Sequence, residues 1–151
     1  MGIAEAISGE HLYLDTNVFI YAVEGFSGLE DELRRLFSAV DAGRITATTS
    51  ELTLAETLVK PFAEGNRDYQ RAYRTLLRKR SFFQLEPVTR AILLAAARIR
   101  ATTTLKLPDA IHLATAQSAG CDTLVTNDPD FRNAADMRVV MLSGLNREEA
   151  E

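Results

Sequence analysis

The amino-acid sequence predicts an α/β fold in one domain over residues 1–151, with a mostly parallel sheet covered by helices on both faces. Three observations predict it. Short segments of strand length recur at His11–Leu14, Ile45–Thr48, Phe82–Glu86, Thr123–Thr126 and Arg138–Met141. Segments with helical periodicity or helix-capping residues separate the first four of these, an alternation that gives parallel strands joined by helical crossovers. A chain of 151 residues, 46% apolar and 25% charged, has the length and balance of one globular domain with a sizeable core.

Met1 to Glu10 shows no period and reads as a lead-in. His11–Leu14 is apolar enough to be a buried strand, and it runs directly into Asp15-Thr16-Asn17. Thr16 or Asn17 can cap the helix that follows. Gly25, Ser27 and Gly28 break that helix. Leu29, Leu33, Leu36, Phe37 and Val40 then recur at helical spacing with charged residues between them, an amphipathic helix ended by Gly43. After the second strand, Thr48 and Glu51 have the capping-box spacing, and the helix they open is expected to end at Val59, before Pro61. Gly65 and Asn66 lead into a basic helix from Arg67 to about Arg80. Pro87 and Thr89 punctuate the chain after the third strand, and Ile92, Ala95, Ala96 and Ile99 line one face of the next helix. Pro108 takes the first turn of a helix over Asp109–Ala119, stopped by Gly120. Asp128-Pro129 is a turn between the last two strands.

Composition excludes several classes. No apolar run approaches the roughly 20 residues that span a bilayer. The N-terminus has no basic region followed by an apolar core, so no signal peptide is expected. Cys121 is alone, which rules out an internal disulfide and a cysteine zinc site, and fits a reducing cytoplasm. The net charge of −4 argues against a surface coated in positive charge, but the charge is uneven. Arg67, Arg71, Arg74, Arg78, Lys79 and Arg80 stand against Asp68 alone, so that segment carries +5 and the rest of the chain −9.

Four separated acids carry the candidate chemistry. Asp15 stands at the end of the first strand, where open parallel sheets bind ligands if strand order reverses there. Its alternative role is helix capping, which Thr16 and Asn17 can also perform. Glu56 falls in a stripe with Leu52, Ala55 and Val59 on one helix face, and a carboxylate among apolar residues is costly unless it is paired or binds a metal. Asp109 opens a helix, a position that acids also take for the macrodipole alone. His112 lies one turn further on. With only two histidines in the chain it reads as a packing residue or a support for a ligand rather than a ligand. Asp128 follows the fourth strand in Thr126-Asn127-Asp128-Pro129-Asp130-Phe131. It is a turn former that also stands at a strand end, and Asp130 could share its role. If the first and fourth strands are neighbours, Asp15 and Asp128 face each other across the sheet's crevice. A purely oxygen donor set suits Mg²⁺ or Mn²⁺ rather than zinc. Two carboxylates at ~4 Å repel by about 4 kcal/mol at an effective dielectric of 20, so a cluster of them implies a cation.

These residues resemble the PIN domain family, most closely the VapC-type toxins of bacterial and archaeal toxin–antitoxin pairs. The resemblance rests on Leu14-Asp15-Thr16-Asn17 with Val18-Phe19-Ile20-Tyr21, on Ser50-Glu51 through Glu56, on Pro108-Asp109-Ala110-Ile111-His112-Leu113-Ala114-Thr115-Ala116, and on Leu124-Val125-Thr126-Asn127-Asp128 through Phe131. The four motifs occur in the family's order over nearly the whole chain. The resemblance implies a three-layer α/β/α sandwich with a parallel sheet of about five strands. It implies that Asp15, Glu56, Asp109 and Asp128 form an acidic metal pocket and carry catalysis, with Asp130 as the other candidate for the fourth ligand. Thr16, Asn17 and Thr126 are read as polar supports. The resemblance also implies Mg²⁺ or Mn²⁺, endoribonuclease activity, a homodimer, and inhibition by a small antitoxin. The chemistry expected is attack of an activated water on an RNA phosphodiester. Arg71, Arg74 and Arg78 form one stripe on the basic helix and are the candidate RNA surface. The other uses of that stripe are a solvated helix face and a contact for an acidic antitoxin.

Two rivals differ in class. One is an aspartate-based phosphotransfer or signalling domain. An aspartyl phosphatase wants a second Asp where this chain has Asn17, and a signalling receiver wants acids and a lysine for which Glu10 and Lys106 are poor substitutes. The other is a catalytically silent PIN-like binding module. No Gly-x-Gly-x-x-Gly follows a strand, which argues against a nucleotide cofactor.

Overall fold

A computed structural model describes residues 10–78, 82–132 and 136–143. Its centre is a five-stranded, all-parallel sheet with strand order β3-β2-β1-β4-β5. The strands are β1 (His11–Leu14), β2 (Thr46–Ser50), β3 (Gln84–Glu86), β4 (Thr123–Thr126) and β5 (Arg138–Met141). Between them run α1 (Thr16–Glu24), α2 (Glu30–Asp41), α3 (Glu51–Glu64), α4 (Arg67–Leu76), α5 (Arg90–Thr102) and α6 (Leu107–Ser118). The strand order grows outward from β1 in both directions, so the reversal falls between β1 and β4, where Leu14 pairs with Val125.

Side-chain alternation along β1 builds the layers. Leu12 and Leu14 face one side, with Val125, and pack against Val18 and Phe19 of α1 and Leu33, Leu36 and Val40 of α2. Tyr13 and Leu124 face the other side and pack against Leu113 and Ala116 of α6. Ile92 and Ala96 of α5 then cover Ala110, Ile111 and Ala114 of the same helix. Every residue of α6 from Ala110 to Ala116 is buried, as expected for a helix packed between a sheet and another helix. This is the three-layer α/β/α sandwich that the sequence leads one to expect. No helix among the described residues is long and apolar enough to cross a membrane.

Several boundaries differ from expectation, by up to two residues at the second strand (Thr46–Ser50), the third strand (Gln84–Glu86) and the start of the last helix (Leu107–Ser118), and more tellingly at three places. Thr48 does not cap α3. It lies inside β2, where its hydroxyl meets Gln84 at 3.2 Å and His11 Nε2 at 2.8 Å. Ser50 caps instead, accepting from the Leu52 amide at 3.0 Å. Nor does α3 stop before Pro61. It continues to Glu64 and ends at Gly65, whose left-handed backbone (φ 66°) closes the last turn. Pro61 forgoes one backbone bond, but its ring is buried, and that burial offsets the loss. The basic helix ends at Leu76, not near Arg80; Lys79 and Arg80 lie outside the described residues. The expected lead-in, residues 1–9, is also outside them.

Candidate functional site

The site forms at the C-terminal ends of β1 and β4, at the reversal of strand order. Asp15 is the residue after β1, 5% exposed, and its own amide bonds the Val125 carbonyl at 3.0 Å. Its side chain caps α1: Oδ1 accepts from the Thr16 amide at 2.8 Å. This corrects the expectation that Thr16 or Asn17 would cap and leave Asp15 uncommitted. Oδ2 accepts from the Thr126 hydroxyl at 2.7 Å, and Asn17 Nδ2 approaches it at 3.5 Å. Thr126 also accepts from the Asp128 amide at 3.0 Å, so one hydroxyl ties the ends of β1 and β4 to the start of the next turn. Asn17 Oδ1 is buried with no hydrogen-bond partner among the described residues.

Glu56 reaches the site from α3, but not through the expected apolar stripe. Val59 is 68% exposed, and the buried face of α3 carries Thr53, Thr57 and Leu58. Glu56 therefore sits beside polar partners. Its Oε1 accepts from the Thr16 hydroxyl at 2.8 Å and faces His112 Nε2 at 2.6 Å. Burial pushes the Glu56 carboxyl up, but the His112 hydrogen bond and charge, with the Thr16 hydroxyl, outweigh it, and the net movement is downward. His112 moves the other way. Burial opposes its charge, yet the bond to Glu56 and the charges of Asp15, Glu56 and Asp109 raise it overall.

Asp109 stands in the first turn of α6, half-buried. Its carboxyl is pushed up to about 6, first by burial, then by the charges of Asp15 and Asp128; His112 pulls it partly back and Glu56 adds to the rise. Asp15, Asp128 and Glu56 therefore lie within electrostatic reach of Asp109. Asp128 precedes a short 3₁₀ turn, Pro129–Phe131, and its Oδ1 accepts from the Asp130 amide at 2.9 Å. Asp130 itself is exposed.

Chemically, the donor set is all oxygen and fits a hard divalent cation. The only partly compensated charge around Asp109 and the orphaned Asn17 oxygen fit it too, since an ion with its water shell would relieve both. Among the described residues no three acidic, histidine or cysteine groups already stand close enough to enclose an ion.

The basic stripe lies elsewhere, on α4. Arg67, Gln70, Arg71, Arg74, Thr75 and Arg78 line a groove of about 480 Å³. The Arg74 guanidinium lies 5.6 Å from the centre of the Phe62 ring. A second groove, of about 610 Å³, is lined by Tyr21, Leu33, Phe37 and Phe82, with Glu24 and Glu30, and by none of the four acids. Sequence reasoning missed Tyr13, whose hydroxyl is 2.6 Å from His112 Nδ1. The one signal for it was a polar-tipped ring alternating with leucines in a buried strand.

No curated protein matches the sequence significantly. Solved structures do. VapBC2 from Rickettsia felis, bound to a DNA fragment from its promoter, superposes with a TM-score of 0.67 at 15% identity, over 87% of this chain and 98% of that one. A toxin–antitoxin complex from Klebsiella pneumoniae gives 0.64 at 27% identity, over 87% of this chain and 97% of that one. VapC20 from Mycobacterium tuberculosis, a sarcin–ricin loop cleaving toxin, gives 0.63 at 20% identity, over 82% and 94%. The family model described as PIN domain matches residues 12–137, a span that includes Asp15, Glu56, Asp109 and Asp128: the chain belongs to the PIN domain family.

Proposed function

We propose that the protein is a metal-dependent endoribonuclease, the toxin of a toxin–antitoxin pair. The observation that carries the proposal is that Thr16, His112 and Thr126 tie Asp15, Glu56 and the Asp128 backbone together at the strand-order reversal, with Asp109 within electrostatic reach of these acids. The toxin–antitoxin complexes among the solved structures support a partner antitoxin for this chain. The loop-cleaving VapC20 supports RNA as substrate. A homodimer and a cytoplasmic site of action belong to the same reading.

Mg²⁺ or Mn²⁺ would be held by the four acids and, when bound, would supply Lewis acidity to a phosphate and an activated water. The chain's own contribution is placement. Thr126 and the Thr16 amide hold the Asp15 carboxylate from both sides, and Thr16 and His112 hold Glu56. Asp109 is poised to give up its proton as positive charge arrives, because the repulsion that raised it is then offset. Asp128, half-buried, is the fourth acid in this reading, rather than exposed Asp130.

The test is cleavage of a mixed pool of structured and unstructured RNA with Mg²⁺, with Mn²⁺ and with EDTA, beside Asp15→Asn. Cleavage that needs both the metal and Asp15 is expected. Cleavage surviving EDTA or Asp15→Asn would refute the proposal, and metal binding without cleavage of any RNA would favour the silent binding module. The α4 groove is the RNA-binding part of the proposal. Charge reversal at Arg71 and Arg74 should lower affinity and flatten the log–log salt slope by about 1 to 2 units. An unchanged slope would remove these arginines from RNA binding.

A further inference from the structure

The two oxygens of Glu56 have different surroundings. Oε1 has the Thr16 hydroxyl at 2.8 Å and His112 Nε2 at 2.6 Å, while Oε2 has no hydrogen-bond partner among the described residues. An ionised carboxylate only accepts, so Nε2 carries a proton in either charge state of the ring. The other ring nitrogen, Nδ1, meets the Tyr13 hydroxyl at 2.6 Å. Tyr13 is fully buried, and a phenol, with an ordinary pKa of about 10, keeps a proton to donate at neutral pH. A phenol donating to Nδ1 fixes neutral His112 in the tautomer that presents Nε2–H to Glu56.

The ring has little freedom to do anything else. The His112 side chain is 1% exposed, and the ring packs edge-on against Tyr13, with centroids 5.8 Å apart at 62°. Glu56 is the opposite: a long side chain, 32% exposed, on a helix whose neighbouring surface faces water. Held only by its own rotamers it would sample several orientations, and fixing one costs side-chain entropy. A buried, doubly bonded imidazole meets that cost in advance.

We propose that His112, oriented by Tyr13, is the positioning residue for Glu56: it ties down Oε1 and leaves Oε2 as the oxygen offered to a divalent ion in the pocket. The inference rests on the acidic-pocket reading above and adds to it a chain of contacts from strand to helix to helix, Tyr13–His112–Glu56.

The test uses the full chain and Mn²⁺ as the probe, titrated calorimetrically into wild type, His112→Gln, His112→Leu and Tyr13→Phe, with folding checked by circular dichroism. Gln places an amide N–H near the position of Nε2; Leu fills space without a donor. His112→Leu should weaken Mn²⁺ by about 10- to 100-fold, as loss of a ligand's outer partner does, and His112→Gln should recover most of that loss. Nitrogen-15 NMR of the metal-free protein should show a sheltered Nε2–H signal that shifts on Glu56→Gln. Equal Mn²⁺ affinity in wild type and His112→Leu overturns the inference and leaves the acidic pocket standing. No Mn²⁺ binding by wild type overturns the pocket, and the inference with it. If His112→Leu does not fold, Tyr13→Phe decides: a loss of about threefold or more, the worth of one net hydrogen bond, supports the inference. Unchanged affinity with an unmoved Nε2–H signal then overturns it.

Discussion

Asp15 and Asp109 belong to the same cleft, yet their surroundings have little in common. Asp15 is 5% exposed and accepts from the Thr16 amide and the Thr126 hydroxyl, each within 2.8 Å. Asp109 is half-buried, and the described residues offer its carboxylate no hydrogen bond; what it meets is desolvation and the charges of Asp15, Asp128 and Glu56, partly offset by His112. One acid is placed by donors and is at ease without a cation. The other is placed by the fold against repulsion, which His112 offsets only in part. The difference teaches that the two acids are held by different means, Asp15 by hydrogen-bond donors and Asp109 by its place in the fold. On the proposed metal-site reading, preorganisation would fix where the charge sits, and the repulsion at Asp109 would favour a cation.

The comparison can be broken first at its firm side. Asp15→Asn should cut RNA cleavage by about 10³-fold or more while leaving the fold intact, because Asn caps a helix as well as Asp does. Rates with saturating Mn²⁺ and a melting curve check both halves of that statement. Thr126→Val keeps the shape and removes the hydroxyl that serves Asp15 Oδ2 and the Asp128 amide. It should weaken Mn²⁺ about tenfold and lower stability by about 1–2 kcal/mol in urea denaturation.

The loose side should respond with the opposite sign. The Asp109 carboxyl sits at about 6 in the fold against 3.8 when free, so the folded state holds its proton more tightly than the unfolded chain does. The ionised form is therefore a penalty, absent below about 3.8, growing between the two values and full above about 6. Without metal, Asp109→Asn should stabilise the protein at pH 7.5 by about 1–2 kcal/mol, after discounting for solvent screening, and by little at pH 4. Denaturation at the two pH values reads this directly, and saturating Mn²⁺ should reverse the sign by stabilising wild type alone. The smallest effect is expected at Asp130. Asp130→Ala should change Mn²⁺ affinity by about twofold or less, whereas Asp128→Ala should cost about tenfold or more; similar losses would show that the two acids share the position.

Much of this arrangement was legible in the sequence, where local chemistry and tertiary structure agree. β1 and β4 fall where short apolar runs end in polar residues, and Asp15 and Asp128 lie just beyond those strands while Glu56 and Asp109 lie on helices. What was not legible required a partner. Thr48 and Glu51 satisfy a capping pattern, but cross-strand contacts to His11 and Gln84 claim Thr48 for the sheet. Pro61 reads as a stop only until its burial is known. Glu56 looked like a carboxylate in an apolar stripe because periodicity finds a face without saying what that face meets. It meets a histidine and threonines. Tyr13 gave almost no signal, since a tyrosine between leucines in a strand is ordinary until its hydroxyl is traced to His112.

The capping role of Asp15 has an evolutionary consequence. Selection for folding at this position is satisfied by any short side chain that can accept from the Thr16 amide, so Asp and Asn are near neighbours in that respect. Selection for charge distinguishes them completely. A lineage that lost its need for the reaction could drift from one to the other by a single nucleotide change and keep the same surface for every partner. Natural variation at position 15 therefore records use, not foldability: it is where retired copies of this protein would first become recognisable.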